Sequence, residues 1–275
     1  MNELILQHES AIRLVFFISV LGAVMIWQWR SPRRVFAQKL SRRWLNNFAI
    51  VVLNSLLLRL VFPAAAVGAA VIAADKGWGI FNHLAWPSWL EVSITVIALD
   101  ALIYGQHVVF HKVPALWRVH RMHHLDLDFD VSTGLRFHPI EILISMAVKW
   151  AAVVALGAPA LAVLIFEILL NAFPMFNHAN AGLSPVLDRV LRWLVVTPDM
   201  HRVHHSVLRE ETDSNYGFNL SWWDRLFGTY RGQPAKGHIG MTIGQSDWRR
   251  PEDCVAIWGM LRVPFHDPRP PAPPT

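Results

Sequence analysis

The chain alternates long uncharged runs with short, charged, turn-rich stretches. Leu14 to Trp29 carries no charge over sixteen residues, near the lower limit for a membrane-spanning helix, and Ala11 and Ile12 can extend it. It lacks the basic start and small-residue cleavage site of a signal peptide, so it is expected to be retained. A second run extends from Asn46 to Ala73, and Pro63 within it predicts a kink. A third, Trp89 to Gln106, follows an outer loop, Asp75 to Ser88, rich in Gly, Pro and Trp. Residues 140–156 and 159–176 are two shorter apolar runs joined by Gly157-Ala158-Pro159. Each would be about 26 Å long as a helix, and together they predict an antiparallel hairpin. The pattern predicts an all-α integral membrane protein with four to five transmembrane or hairpin helices. Three segments follow from it: N-terminal membrane helices with a basic loop (1–88), a central segment (89–231) and a C-terminal tail (232–275).

Charges inside these runs need explanation, because an ionised group in the bilayer is costly unless paired. Lys149 and Glu167 lie nine residues either side of Ala158, so an antiparallel hairpin sets them at equal depth and predicts an ion pair. Arg59 has two options: a partner such as Asp100 on the third helix, or an interface to which it snorkels.

Composition supports the membrane reading. Apolar residues make up 53% and charged residues 16% of the chain, against about 25% charged in ordinary soluble domains. Cys254 is the only cysteine, which excludes an intrachain disulfide, a Cys-ligated iron–sulfur cluster and a zinc ribbon. The net charge of +5 is concentrated between Arg30 and Arg43, where six cations stand without an acid. Wedged between two spans, they read as a cytoplasmic loop rather than a nucleic-acid patch, which places the N-terminus outside.

The histidines carry the candidate chemistry. Ten of fourteen fall between residues 107 and 205, and eight of these form three boxes: His107 and His111; His120, His123 and His124; His201, His204 and His205. Spacings of three and four residues put each box on one helix face. Pro114 ends the helix carrying the first box and allows a second to start. Thr197-Pro198-Asp199 is a helix start, with Thr as N-cap and Pro at the first position. Imidazole suits iron, zinc, copper and nickel. Eight to ten imidazoles exceed the four positions of a zinc site, which implies two metals. The Glu-x-x-His motif of soluble di-iron bundles is missing. His138 and His178 stand alone, and His83 lies in the outer loop, too far away to join them. Asp126, Asp128 and Asp130, or Asp199 and Asp224, are candidates to accept imidazole N–H bonds. Asn215 to Gly228 ends in an aromatic, amphipathic patch expected on the membrane surface. The Pro-rich stretch from Pro264 is expected to be disordered.

The order His-x-x-x-His, His-x-x-His-His, Arg136-Phe-His-Pro139 and a last His-x-x-His-His, followed by Asn215-Tyr-Gly and Trp223-Asp-Arg-Leu-Phe-Gly-Thr229, resembles the fatty acid hydroxylase (sterol desaturase) superfamily over residues 90–231. The resemblance implies a membrane non-haem di-iron enzyme that uses O2 and two electrons to hydroxylate or desaturate a lipid C–H position. Carried over, His107, His111, His120, His123, His124, His201, His204 and His205 would be metal ligands. His178 matches an isolated histidine before the last box, and His138 occupies the Arg-Phe-His-Pro position. Two irons are the implied cofactor, with zinc as a substitute ion. The implied partners are a membrane lipid, O2 and a separate donor of ferredoxin, flavin-reductase or cytochrome type. In a bacterium this means the inner membrane, with the boxes in a cytoplasmic cap and the C-terminus on the same side. A histidine-rich membrane metal-binding or transport protein is the alternative; transport would want ligands along the spans, whereas these boxes flank them.

Overall fold

The computed structural model describes residues 2–268. Among them there are isolated bridges but no strand. The helices are α1 (Asn2–Gln7), α2 (Glu9–Arg30), α3 (Leu40–Val61), α4 (Ala65–Lys76), α5 (Ser88–Lys112), α6 (Pro114–His124), α7 (Pro139–Leu156) and α8 (Ala160–Asn177). Shorter ones follow: α9 (Pro185–Leu191), α10 (Pro198–His204), α11 (Arg209–Thr212), α12 (Trp222–Leu226), α13 (Gly237–Gly240), α14 (Pro251–Cys254) and α15 (Ile257–Arg262). Five stretches are long and apolar enough to cross a membrane: α2, Leu40–His83, α5, α7 and α8. This is an all-α integral membrane protein.

The second apolar run breaks where Pro63 removes a backbone donor, and Ala65 takes a positive φ of 48° just beyond it. Its first helix starts at Leu40, six residues before the expected Asn46. The small residues Ala66, Ala69 and Ala70 of α4 pack with Leu99 and Ile103 of α5, Met146 and Val153 of α7, and Val163 and Phe166 of α8. Small side chains let helix backbones approach closely, which drives packing where lipid offers no hydrophobic contrast. α2 lies on α8, and α3 lies on α7. Leu14, Phe16, Ile18, Leu56 and Leu60 face outward, as bilayer contact requires.

The hairpin register is as expected: Lys149 Nζ donates to Glu167 Oε1 at 2.6 Å. Arg13 of α2 adds a second cation, 2.9 Å from Glu167 Oε2. Asp100 does not pair with Arg59. It accepts from Trp223 Nε1 (2.8 Å) and Leu220 N (3.2 Å), while Arg59 is exposed in the last turn of α3.

The stretch 125–134, which carries Asp126, Asp128 and Asp130, is buried throughout. Arg43, itself fully buried, reaches Asp126 through Nε and Nη2 (2.9 and 2.8 Å) and Asp130 through Nη1 (2.9 Å). Arg33 likewise holds Asp199 with two bonds (3.1 and 2.9 Å), and Arg34 donates to the carbonyls of His238 (2.5 Å) and Met241 (2.8 Å). Three of the six cations between Arg30 and Arg43 are therefore structural ties. Arg30, Lys39 and Arg42 remain exposed. The chain from Pro264 to Pro268 is also not free: Pro264 is buried, and its carbonyl accepts from Arg118 Nε at 2.7 Å. The remainder of the Pro-rich end, 269–275, lies outside the described residues.

α12 exposes Trp222 and Leu226, with Phe227 beyond it, beside the exposed Trp193 and Leu194 that follow α9. Trp222 Nε1 donates to Trp193 O at 3.0 Å, so the two segments form one apolar surface.

Candidate metal centre

Four segments deliver imidazoles to one buried volume. The end of α5 carries His107 and His111, and Pro114 at the first position of α6 starts the helix that brings His120, His123 and His124. His178 caps the C-terminus of α8. Thr197 caps α10, its side chain accepting from Met200 N, and α10 supplies His201 and His204 with His205 at its C-cap. Gly134 permits the closure: a Cβ there would stand 2.4 Å from Pro174 O and 2.9 Å from His178 Nδ1.

Nine of the ten singled-out histidines meet in two groups, His107, His111, His120, His124 and His204, and His123, His178, His201 and His205. Within each group one ring nitrogen per residue lies within 4.8 Å of the others, and every ring is buried. His138 stands apart. Its Nδ1 accepts from Ile140 N (3.1 Å) to cap α7, and its Nε2 lies 3.2 Å from Leu261 O. The His in Arg-Phe-His-Pro is here a helix cap.

Tautomers follow from the partners, since a carbonyl oxygen can only accept. His107 Nδ1–H donates to Tyr216 O (2.7 Å), His204 Nδ1–H to Ser214 O (2.6 Å) and His178 Nδ1–H to Pro174 O (2.8 Å). Each Nε2 is then a bare lone pair. Yet His107 and His204 face each other Nε2 to Nε2 at 3.1 Å, with no hydrogen available between them. His120 Nε2 is 3.1 Å from His107 Nε2 and 3.2 Å from His124 Nε2. His178 Nε2 lies 3.2 Å from His123 Nε2 and 3.1 Å from His205 Nε2. Lone pairs converging in a buried site repel unless a cation lies among them, so the donor set fits two metal ions.

Burial and the neighbouring imidazoles push His123, His124, His201 and His205 well below the ordinary histidine range; His178 and His204 are pushed down to about 3, chiefly by burial. The rings are thus neutral at pH 7, as ligation requires. In metal-free protein the unfolded chain would bind more protons than the folded one between about pH 6.5 and pH 3, so stability falls on acidification. Thermal melts of metal-stripped protein at pH 7.5 and pH 5 are expected to show a clear drop in midpoint at the lower pH.

The acids proposed on sequence to orient the rings do other work. Asp126 and Asp130 bind Arg43, Asp128 accepts from Ala37 N and Gln38 N (2.9 and 2.8 Å), and Asp199 binds Arg33. Asp224 accepts from Tyr216 N (2.7 Å) and Gly217 N (2.9 Å), fixing the turn that presents Tyr216 O to His107. The carboxylate that touches an imidazole closely is Glu141, whose Oε1 lies 2.6 Å from His120 Nδ1; Asp213 Oδ1 is 3.5 Å from His111 Nδ1. Sequence reasoning missed both. An acid in the first turn of a helix reads as a dipole partner, which hides Glu141. The available signal was that it opens an apolar run, where a carboxylate needs a partner. Glu141→Gln is expected to lower metal affinity by about 10–100-fold, read as metal retained after dialysis against a chelator.

A cavity of about 230 Å³ opens onto His107 and His120 of the first group. Phe110, Phe137 and Phe218 line its inner end, and Phe137 stacks on His123 with ring centres 4.5 Å apart. Lys149, Glu167 and Arg13 also line it.

The fatty acid hydroxylase model matches residues 92–229, half of the chain. Alkylglycerol monooxygenase from Xenopus tropicalis is 27% identical over 257 residues, covering 91% of this chain and 54% of that protein. Ornithine lipid hydroxylase OlsE from Rhizobium tropici is 29% identical, covering 83% of this chain and 70% of its own length. The human alkylglycerol monooxygenase is 30% identical over 61% of this chain and 36% of that protein. The chain thus spans about half of the frog protein. No solved structure matches it. With two neighbouring groups of buried histidines and a match over the segment that carries them, the chain belongs to the fatty acid hydroxylase family.

Proposed function

We propose that the protein is a membrane non-haem di-iron oxygenase that uses O2 and two electrons to hydroxylate a lipid C–H position. The observation that carries this is the cavity ending on the His107 and His120 imidazoles. It offers space for a substrate beside one histidine group, while the other group is enclosed behind Phe137 and Phe129. The relatives' names, a lipid monooxygenase and a lipid hydroxylase, favour hydroxylation over desaturation. The reaction balances as C–H, O2, two electrons and two protons giving C–OH and water.

The nine clustered histidines would hold two irons, with His138 outside the set. Iron bound there would supply the reduction and cleavage of O2. The chain's own residues do the rest. Backbone carbonyls of Tyr216, Ser214 and Pro174 and the Glu141 carboxylate fix the ring tautomers, leaving Nε2 free to ligate. Phe110, Phe137 and Phe218 keep water from the reacting carbon. Zinc would suit the same imidazoles but lacks redox chemistry. The exposed cations Arg30, Lys39 and Arg42 support a cytoplasmic cap and give an electron donor of ferredoxin, flavin or cytochrome type a surface to dock on.

Purified protein in lipid nanodiscs, loaded with iron and given a reductase, is expected to hold two irons per chain and to place one atom of labelled O2 in a lipid. Loss of the label with zinc loading is expected too. An iron-loaded protein inert on every lipid tested would leave a metal-binding or transport role instead.

A further inference from the structure

The inner end of the cavity carries unsatisfied hydrogen-bonding atoms, which a pocket for plain hydrocarbon would not have. Asn54 Oδ1, Gln106 Oε1 and Glu141 Oε2 are buried without a hydrogen-bond partner, and all three residues line the cavity. Asn54 and Glu141 are more than nine-tenths buried. The Asn54 amide is fixed by its other end, since Nδ2 donates to Phe137 O (2.8 Å), a group that can only accept. Gln106 is tied to Ser145 Oγ through Nε2 (2.6 Å), and Glu141 to His120 through Oε1 (2.6 Å). Leaving a buried acceptor unpaired is costly, so three of them around one space call for donors.

The cavity also has a side opening: Ser55 of α3 is exposed while lining it, and Arg13 of α2 is one-third exposed. Arg13 and Lys149 already share Glu167, and Arg13 also lies 3.5 Å from Glu9, so those cations need no charge from a ligand.

We propose that the substrate is an amphiphile that enters head first between α2 and α3, its hydroxyl or amine donors bonded to Asn54, Gln106 and Glu141 and its tail left in the bilayer. The oxidised carbon then lies in or next to the headgroup. This rests on the oxygenase reading for the oxidation, but the binding preference stands without it.

The test is equilibrium binding to iron-loaded full-length protein in nanodiscs with three labelled probes of equal chain length: monopalmitoylglycerol (hydroxyl donors), hexadecylamine (an ammonium donor) and methyl palmitate (no donor). At least one donor-bearing probe is expected to bind about tenfold tighter than methyl palmitate or better, the effect of a few net hydrogen bonds. Asn54→Leu is expected to erase most of that preference while iron content and methyl palmitate binding stay within about twofold, well under the tenfold effect tested. Equal binding of all three probes by the wild type, or no binding of any above empty nanodiscs, overturns the proposal even if Asn54→Leu fails to fold. Failure of the oxygenase reading would look different: a donor preference in binding, with no oxygen from O2 in any probe.

Discussion

Replacing His120 with alanine is expected to lower the proposed lipid oxidation by more than about 100-fold, the upper end of what losing an outer partner of a ligand costs. His120 is the ring through which several contacts pass. Its Nε2 faces both His107 and His124, its Nδ1 is held by Glu141, and it lines the cavity. Removing it opens the first group on the cavity side and leaves the Glu141 carboxylate buried without its donor. Metal analysis should show less than the wild-type stoichiometry, with the second group's share kept. His138→Ala supplies the contrast. His138 caps α7 and touches none of the clustered rings, so the expected cost is a cap's worth of stability, about 1 kcal/mol, with metal content unchanged. If His138→Ala stripped the metal as His120→Ala does, the ligand set drawn from the two groups would be wrong.

The contrast between these two histidines marks how far the sequence could be read. Helical spacing identifies residues sharing a face, so the three boxes were legible, and a charge midway along each arm of the hairpin gave the Lys149–Glu167 register. Neither rule says where a lone histidine points. His178 and His138 look alike in the chain, each before or after a long apolar helix. One ends α8 beside Gly134, close enough to join the cluster; the other begins α7, where its backbone position makes it a cap. The carbonyls that fix the tautomers were invisible for a similar reason. Tyr216 O and Ser214 O reach His107 and His204 only because Asp224 folds the following turn back, a contact between residues eight apart with no periodic signature.

The role of the acidic stretch after α6 is hidden in the sequence because its partners lie more than eighty residues upstream. The charges of Asp126, Asp128 and Asp130 suggest water. The residues that alternate with them, Leu127, Phe129 and Val131, are buried and face the cores around the cluster. A chain that alternates buried acids with buried apolar residues is satisfied by donors brought in from elsewhere, cations for Asp126 and Asp130 and backbone N–H groups for Asp128. The basic loop supplies Arg43, while Arg33 and Arg34 make the corresponding ties to the segment around α10 and α13. The loop that looked like a topology signal is in large part the clamp that closes the cap over the histidines.

That clamp predicts the second large effect, Arg43→Met. Arg43 is fully buried and makes four hydrogen bonds, to Asp126, Asp130 and Thr133. Burial alone would raise the Asp126 carboxyl, but the Arg43 and Arg136 guanidiniums hold it well below the usual carboxylate range. Removing Arg43 leaves two ionised groups buried; Arg136, at 3.4 Å from Asp126, compensates for part of one. Breaking a buried ion pair from one side typically costs about 3–5 kcal/mol, so Arg43→Met is expected to lower the thermal midpoint steeply and to release metal, although Arg43 touches no histidine. Arg42→Met, one residue away and exposed, is expected to change little. Adding Asp126→Asn and Asp130→Asn to Arg43→Met removes the stranded charges and should recover part of the loss. If Arg43→Met melts like the wild type, the cap is held by its apolar packing instead, and the ion network contributes little to closing it.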